Sequence, residues 1–182
     1  IFPALSIADE LKRRDPEIEI LFVGAAGRME MEKVPQAGYN IEGLNISGLQ
    51  RSFSLKNFLV PFKLIGSLIK AGEIIDKFKP QVAIGVGGYA SGPVLFMAQL
   101  KGVPTLIQEQ NSYPGITNKL LAKRVSRICV AYDKAAEFFP KDKVVFTGNP
   151  VRANILDTEN RRQEALSFFG LDPSRPVVLS VG

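Results

Sequence analysis

The sequence of 182 residues is 46% hydrophobic and 23% charged, which is the composition of an ordinary globular protein. Its net charge of +5 suits an anionic ligand or an anionic membrane surface. The sequence has no dense basic stretch with interleaved aromatic residues, the pattern that would indicate binding of nucleic acid. Histidine is absent and Cys129 is the one cysteine, so a histidine triad, a histidine zinc site and a disulfide framework are excluded within these residues. No apolar run reaches the roughly 20 residues that cross a bilayer and no signal peptide is visible, so we expect a cytoplasmic protein without a metal or other cofactor.

Apolar segments with strand character alternate with helical segments along most of the chain. This alternation predicts an α/β fold in which a parallel sheet is covered by helices on both faces. Ligands of such sheets bind beyond the carboxyl ends of the strands, so the segments that follow each strand are candidates for the site. The predicted strands are 19–23, 39–46, 82–84, 105–107, 127–131 and 144–146, and the predicted helices are 3–14, 29–36, 61–78, 92–100 and 115–123.

Both ends of the sequence indicate a piece of a longer protein. The chain begins at Ile1 in a pattern that is already helical, and it closes on an apolar strand candidate at 177–182 without a sheet to join. We therefore expect a truncated two-domain protein with a boundary near Arg152. Residues 1–152 would form one domain, and residues 153–182 would form a linker, a helix opened by the polar stretch 157–162, and the start of a second domain.

The most informative segment is the glycine-rich loop 85–93, which follows one predicted strand and leads into a helix. Gly87 and Gly88 allow left-handed backbone angles and close approach of a ligand, while free N–H groups at the helix N-terminus attract anions. Ser91 is expected to cap this helix, and Pro93 suits its first turn. The loop matches neither G-x-G-x-x-G nor the P-loop, so it predicts either an anion site or a tight turn without a ligand.

The segment 53–78 combines aromatic and aliphatic residues with lysines that recur every seven residues. A helix that begins at Pro61 would place the last three lysines in one stripe, beside the apolar loop that precedes it. This combination indicates an interfacial membrane contact, and a core-packed helix with solvated lysines is the alternative. The candidate membrane residues are Phe53, Phe58, Leu59, Phe62, Lys63 and Lys70.

Two polar segments follow strands at the predicted ligand-facing edge. Residues 108–111, Gln-Glu-Gln-Asn, can bind sugar hydroxyls or an amide through paired hydrogen bonds, or they can cap the next helix. In 147–152, Thr-Gly-Asn-Pro-Val-Arg, Arg152 can hold a phosphate through two N–H groups, and an ordinary turn with a surface arginine fits the same spacing.

Taken together, these segments resemble the MurG family of bacterial lipid-linked N-acetylglucosaminyltransferases, which convert lipid I to lipid II in peptidoglycan synthesis. The resemblance runs from residue 1 to Arg152, and its motifs stand in the family's order. They are PALSIA at 3–8, ISGL at 46–49, GVGGYASGP at 85–93, EQNSYPGITNKLLAK at 109–123 and GNPVR at 148–152. Each of the longer motifs is moderately specific alone, and the set at these separations is strongly specific.

The resemblance implies a two-domain glycosyltransferase of the B type, with two Rossmann-like domains that face a cleft. This chain would hold most of the acceptor domain and the first strand of the donor domain, while the family's first strand and first glycine loop would precede Ile1. The implied acceptor-diphosphate loop comprises Gly87, Gly88, Tyr89 and Ser91. Asn111 and Arg152 match positions that contact UDP-N-acetylglucosamine, and Glu109 matches a position beside the acceptor cleft, which makes it a candidate catalytic group.

The implied reaction is displacement at the anomeric carbon of UDP-N-acetylglucosamine by the C4 hydroxyl of lipid I, with inversion. The family's general base would precede Ile1 and its third glycine loop would follow Gly182, so these 182 residues alone should not catalyse transfer. The segment 53–70 matches the family's membrane patch, which implies a peripheral protein on the cytoplasmic face of the inner membrane. The alternatives are a B-type transferase that acts on diacylglycerol and a non-catalytic anion-binding or scaffold domain.

Overall fold

The computed structural model describes residues 1–46, 60–152, 161–178 and 180, and it confirms the predicted alternation of strands and helices. Every predicted strand and helix up to residue 146 is present, with its ends shifted by two residues or fewer. A short helix, Asp133–Ala136, was not predicted. In chain order the elements are α1 (Phe2–Arg14), β1 (Leu21–Ala25), α2 (Glu30–Gln36), β2 (Asn40–Leu44), α3 (Val60–Phe78), β3 (Ala83–Gly85), α4 (Ser91–Leu100), β4 (Thr105–Glu109), α5 (Ile116–Leu121), β5 (Arg127–Val130), α6 (Asp133–Ala136), β6 (Val144–Phe146) and α7 (Arg162–Phe168).

The described strands form two parallel sheets rather than the single sheet that the sequence predicts. β1 pairs with β2 over the length of both strands, with Leu21 opposite Asn40. The second sheet has the order β3-β4-β5-β6, and all its pairs are parallel. β1 and β3 are not paired with each other, and an apolar cleft lies between them. Leu21–Gly24 line one side of this cleft, and Ala83 and Ile84 line the other. The predicted fold class is therefore confirmed, but the sequence pattern did not reveal that the described strands divide into two sheets.

Helix α4 connects the two sheets, because its side chains enter both hydrophobic cores. Leu95 is fully buried in the core of the four-stranded sheet, together with Ile107 and Ile128. Val94 and Met97 pack instead against the core of the two-stranded sheet. A helix that is apolar on several sides is typically enclosed by other elements. This enclosure holds the start of α4, and the glycine-rich loop before it, in a defined place beside β3.

The prediction that Ser91 caps α4 is wrong. The helix begins at Ser91 itself, and Ala90 occupies the N-cap position with helical angles of φ −71° and ψ −29°. A capping oxygen has to come from the residue before the first helical one, so Ser91 is one position too late. Its hydroxyl donates to the backbone oxygen of Gly88 at 3.0 Å instead. Pro93 lies in the first turn, as predicted.

The strand predicted at 177–182 is not formed in its described part. Val177, Val178 and Ser180 lie outside any strand, and the Val178 side chain is 91% exposed. A strand needs a neighbour to satisfy its backbone N–H and C=O groups, and the described strands pair only with one another. The helix expected from the polar stretch 157–162 is α7, which begins at Arg162. The proposed boundary near Arg152 stays a prediction.

Candidate functional site

The carboxyl ends of β3, β4 and β6 bring three of the predicted site segments together. Gln110 follows β4, and its Nε2 donates to the backbone oxygen of Val86 in the glycine-rich loop at 3.2 Å. Asn149 follows β6, and its Nδ2 donates to the backbone oxygen of Gln110 at 3.4 Å. Parallel strands end on the same side of a sheet, so these contacts mark its ligand-facing edge. Loops 85–93, 108–111 and 147–152 therefore form one candidate site.

The glycine-rich loop is shaped by its backbone, and space above it is open. Gly87 and Gly88 have φ values of 87° and 82°, and a Cβ at either position would meet no described atom within 4 Å. The backbone angle, rather than crowding, therefore requires glycine at both positions. The first intrahelical bond of α4 is donated by the N–H of Val94, so the N–H groups of Ser91 and Gly92 precede the helical ladder. With the helix dipole, these groups attract an anion.

Glu109, the last residue of β4, lies beneath this edge and is only 3% exposed. Its Oε1 accepts from the backbone N and the side-chain Nδ2 of Asn111, both at 3.0 Å. Its Oε2 accepts from Nδ2 of Asn118, a buried residue of α5, at 2.8 Å. A buried carboxylate needs such donors, because they replace the water that it loses. The exposed residue Asn111 thus rests on a buried carboxylate whose two oxygens both accept hydrogen bonds from the protein.

A second hydrogen-bonded cluster connects β4 to the glycine-rich loop. Besides Val86, Nε2 of Gln110 faces two oxygens of Gln108, the backbone oxygen at 3.0 Å and the side-chain Oε1. Gln108 is buried, and its Nε2 has no partner among the described residues. Because Gln110 bonds to both segments, it is the residue that couples the loop after β3 to the end of β4.

Arg152 and Tyr89 lie at the margins of the candidate site. The Arg152 guanidinium lies over the ring of Phe2, with its Cζ 4.6 Å from the ring centroid. This contact is at cation–π distance, and it places the positive charge of Arg152 at the margin of the candidate site. Tyr89 is half exposed and lines the cleft between the sheets together with Gly87 and Gly88.

The cleft between β1 and β3 has a volume of about 380 Å³. Phe78 and Pro80 line it at the amino end of β3, and the glycine-rich loop lines it at the carboxyl end. Its walls also include Ile1 and the inner side of α1. The cleft therefore extends along the whole of β3, between two strand edges that are not paired with each other.

Helix α3 exposes an apolar face in the part of the membrane candidate that the structure describes. Phe62, Ile65 and Ile69 are exposed and recur at helical spacing, and the Phe62 side chain is 73% accessible. Lys63 is half-buried, and Lys70 is exposed with its Nζ 3.6 Å from Glu42. The candidates Phe53, Phe58 and Leu59 lie outside the described residues. None of the described helices has the length and apolar character needed to cross a membrane.

The described residues contain no group of three or more His, Cys, Asp and Glu side chains arranged to hold a metal ion. Cys129 of β5 is half-buried beside Thr147. Burial raises the pKa of the Cys129 thiol, and a hydrogen bond with Thr147 acts in the opposite direction. The thiol is therefore protonated at neutral pH, which leaves it a weak nucleophile.

Sequence reasoning missed two residues of the site, Asn118 and Phe2. Asn118 shares the inward face of α5 with Leu121, three residues later, and both are buried. A polar residue on a buried helix face requires a hydrogen-bonding partner, so this spacing is a signal that could have identified Asn118. Phe2 offered no such signal, because its contact with Arg152 joins residues that are 150 positions apart in the chain.

The fold and this site define a Rossmann-like α/β domain with an anion-attracting loop at the carboxyl edge of its sheet. Residues 1–130 match the glycosyltransferase family 28 N-terminal domain. The chain belongs to this family, which confirms the expected glycosyltransferase resemblance.

Individual curated proteins are similar to the chain over its whole length. The chain is 59% identical over all 182 residues to UDP-N-acetylglucosamine--N-acetylmuramyl-(pentapeptide) pyrophosphoryl-undecaprenol N-acetylglucosamine transferases from Christiangramia forsetii and Phocaeicola vulgatus. It covers 50% and 48% of these two proteins, so the chain spans about half the length of the curated relatives that it matches.

Solved structures agree with this assignment. Acinetobacter baumannii MurG is 27% identical with a TM-score of 0.68, and the match covers 83% of this chain and 42% of that one. The UDP complex of S. aureus MnaA has a TM-score of 0.64 at 15% identity, with 93% of this chain and 48% of that one covered. The second likeness concerns the fold alone.

Proposed function

We propose that the whole protein transfers N-acetylglucosamine from UDP-N-acetylglucosamine to the C4 hydroxyl of lipid-linked N-acetylmuramyl-pentapeptide, with inversion at the anomeric carbon. The observation that carries this proposal is the 59% identity over all 182 residues to transferases named for this reaction. The glycine-rich loop at the carboxyl edge is consistent with a phosphorylated substrate. A base has to remove the hydroxyl proton as the bond to the sugar forms, and the bond from the anomeric carbon to UDP breaks.

In this proposal the acceptor diphosphate binds at the loop that contains Gly87, Gly88, Tyr89 and Ser91. The open space above both glycines and their positive φ values support it, since a diphosphate can approach the backbone there. The N–H groups at the start of α4 would donate to the phosphate oxygens. The exposed ring of Tyr89 would cover the side of the ligand that faces the cleft.

The donor side would include Asn111 and Arg152. Both residues follow strands of the four-stranded sheet, and the guanidinium of Arg152 lies over Phe2 at the margin of the site. A guanidinium can stabilise the charge that develops on the departing UDP without a bound metal. We therefore expect Arg152 to act mainly as the UDP leaves, and Asn111 to contact the donor.

We also propose that residues 1–152 form the acceptor domain and that residues 153–182 lead into a donor domain. A strand that precedes Ile1 in the whole protein would fill the cleft between β1 and β3 and unite the two sheets. The unpaired edges that face this apolar cleft support the proposal, as does the greater length of the relatives. The 182-residue piece alone is then expected to transfer no sugar.

The direct test is transfer of radiolabelled N-acetylglucosamine from its UDP conjugate to a lipid I analogue by the full-length protein. We expect incorporation into this acceptor, and a loss of about 10- to 100-fold in kcat for Arg152→Ala. Arg127→Ala, at the amino end of β5, is the matched control and should keep the wild-type rate. Transfer to diacylglycerol instead would favour the other B-type transferase, and donor binding without transfer to either acceptor would favour a binding role.

Peripheral association with the cytoplasmic face of the inner membrane is part of the same proposal. The exposed apolar face of α3 and its lysines support it, because apolar side chains enter the interface while lysines face anionic lipids. We expect the full-length variant Phe62→Ser/Ile69→Ser to bind phosphatidylglycerol vesicles at least about 5-fold more weakly than wild type, since each change removes apolar burial. Phe168→Ser, at a phenylalanine of α7 that is at least as exposed as Phe62, is the control. An equal loss of vesicle binding in both variants would show that α3 is not the membrane contact.

A further inference from the structure

The hydrogen bonds around Glu109 determine which way the Asn111 amide points. An amide's oxygen and nitrogen exchange places when the group turns over, so the orientation has to follow from its partners. Glu109 Oε1 lies 3.0 Å from Asn111 Nδ2, and a carboxylate oxygen of this kind accepts hydrogen bonds. Turning the amide over would place two oxygens against each other. Asn111 is therefore held with Nδ2 toward Glu109.

This orientation fixes what Asn111 presents to a ligand. One N–H of its Nδ2 is used by Glu109, and its Oδ1 has no partner among the described residues. The Asn111 residue is exposed, so the free Oδ1 and the second N–H are available to a bound molecule. A phosphate oxygen of a nucleotide can only accept, so it could use the second N–H alone and would be repelled by Oδ1, whereas a hydroxyl or an amide can pair with both.

Glu109 is itself held in place by the buried Asn118. Asn118 Nδ2 donates to Glu109 Oε2 at 2.8 Å, while Asn118 Oδ1 is buried without a partner among the described residues. All three N–H groups that surround the carboxylate come from the protein, from Asn111 and Asn118. A group engaged in this way is suited to orient a neighbour, and at 3% exposure it lies beneath the surface that a substrate hydroxyl would reach.

We propose that Glu109 and Asn118 are positioning residues that hold Asn111 with its Oδ1 outward, so that Asn111 selects a hydroxyl or the N-acetyl amide of the donor sugar rather than its diphosphate. This inference rests on the proposed function, because it takes UDP-N-acetylglucosamine as the donor. It assigns Glu109 no proton-transfer role, in contrast to the catalytic candidate that the family resemblance implied.

The experiment compares binding of UDP and of UDP-N-acetylglucosamine to the full-length protein by calorimetry. UDP carries the diphosphate and lacks the sugar. For Asn111→Ala, we expect the Kd for UDP-N-acetylglucosamine to rise about 10-fold while the Kd for UDP changes less than about 2-fold, since one hydrogen bond to the sugar is lost. Equal weakening of both ligands would show that Asn111 contacts the diphosphate, and would overturn the inference.

The positioning role is tested with a double-mutant cycle. Glu109→Ala should weaken binding of UDP-N-acetylglucosamine about as much as Asn111→Ala does, and the double variant should be no weaker than either single variant. Gln99→Ala is the control, because it removes a part-buried hydrogen bond to Thr105 at the opposite end of β4. It should lower the melting temperature and leave both Kd values unchanged. Additive losses in the double variant would contradict the coupling.

Glu109→Gln separates positioning from proton transfer and guards against a Glu109→Ala protein that does not fold. The Gln Oε1 can still accept from Asn111, and its Nε2 can donate to Asn118 if that amide turns its unpartnered Oδ1 inward. We expect kcat within about 3-fold of wild type and an unchanged pH profile. Loss of a general base would lower kcat by about 100-fold or more and remove one limb of the profile. That result would overturn the inference.

A further arm distinguishes failure of this inference from failure of the proposed function. The Asn111 side-chain amide is observed by NMR in full-length protein labelled at asparagine, with and without Glu109→Ala. A bond to a carboxylate should displace one of the two Nδ2 proton resonances, and the displacement should disappear in the variant. If wild type transfers no sugar but this shift is present, the function is wrong and the positioning stands. If the shift is absent, the positioning is wrong.

Discussion

The loops that follow β3 and β4 lie side by side, but they are built in opposite ways. After β3, Gly87 and Gly88 leave open space, and the backbone itself forms the surface. At the end of β4, Gln108 and Glu109 are buried, and Glu109 holds the following Asn111 at the surface by hydrogen bonds. The first loop offers N–H groups to any anion of suitable shape, whereas the second offers one oriented amide.

This difference explains why one loop can be recognised from the sequence and the other only in part. A glycine at positive φ is a local requirement, so it is visible within a few letters. The orientation of Asn111 depends on Asn118, nine residues after Glu109, and Gln110 is anchored by Val86, which precedes it by 24 residues. Only the folded chain brings these partners together.

The largest expected effect tests the loop after β3. Gly88→Val places a β-branched residue at φ 82°, and Gly102→Val places the same residue at φ 74° beyond the other end of α4. Both variants should lose at least about 1–2 kcal/mol of unfolding free energy from backbone strain. Only Gly88→Val should lower kcat/KM for the lipid-linked acceptor, by about 10- to 100-fold, because its N–H groups would no longer face the diphosphate. Steady-state kinetics and urea unfolding measure the two effects.

Equal kinetic loss in both glycine variants would mean that strain alone lowers activity. The loop after β3 would then be a turn without a ligand, and the contrast with the loop after β4 would fail.

A second variant separates packing from ligand binding within the same loop. A Cβ at Gly85 would lie 2.5 Å from Leu95 Cδ1, and Leu95 is fully buried, so Gly85→Ala should cost about 1–3 kcal/mol of unfolding free energy. Gly66→Ala, in α3, meets nothing within 4 Å and should instead stabilise the helix by about 0.5–1 kcal/mol. Urea unfolding followed by circular dichroism gives both values. An unchanged free energy of unfolding for Gly85→Ala would show that Leu95 can move to accommodate the added methyl group.

Gln110→Ala tests whether the two loops are coupled. The change removes the bonds from Nε2 to Val86 and Gln108, which should cost about 1 kcal/mol and raise the acceptor KM about 3- to 10-fold. Amide hydrogen exchange at residues 86–92 should become faster, because the loop after β3 loses its anchor to β4. Unchanged exchange in this segment would show that the two loops are independent.

The smallest effect is expected at Glu10, an exposed carboxylate outside the site that contrasts with the buried Glu109. Glu10 accepts from Arg13 and Arg14 at 2.7 Å, and these hydrogen bonds lower its pKa to about 2, although it lies on the surface. A lowered pKa adds stability that is present above the ordinary value near 4.5 and is lost as the pH falls through about 2. Glu10→Gln should therefore lower the melting temperature slightly at pH 7, and the difference should shrink as the pH falls through this range. A drop as large as that of Glu109→Ala would mean that burial does not distinguish the two carboxylates.

Much of the architecture could be predicted because its causes are local. Strand and helix positions up to Phe146 agree with the structure, since apolar periodicity and glycine or proline punctuation act within short windows. The prediction that Ser91 caps α4 was wrong by one position, because Ser91 is the first residue of the helix and Ala90 is the N-cap residue. The strand predicted at 177–182 failed because apolar character alone does not supply a pairing partner.

The sequence by itself determined the α/β fold class, the glycine-rich loop, and the family, since each depends on residue types at fixed spacing. The tertiary structure alone decided that the strands divide around a cleft, that Arg152 lies over Phe2, and that Glu109 lies buried beneath Asn111. The physical reason is the range of the interactions. Backbone conformation is set by neighbours in the chain, whereas burial and hydrogen bonding depend on residues that only folding brings within 3 to 5 Å.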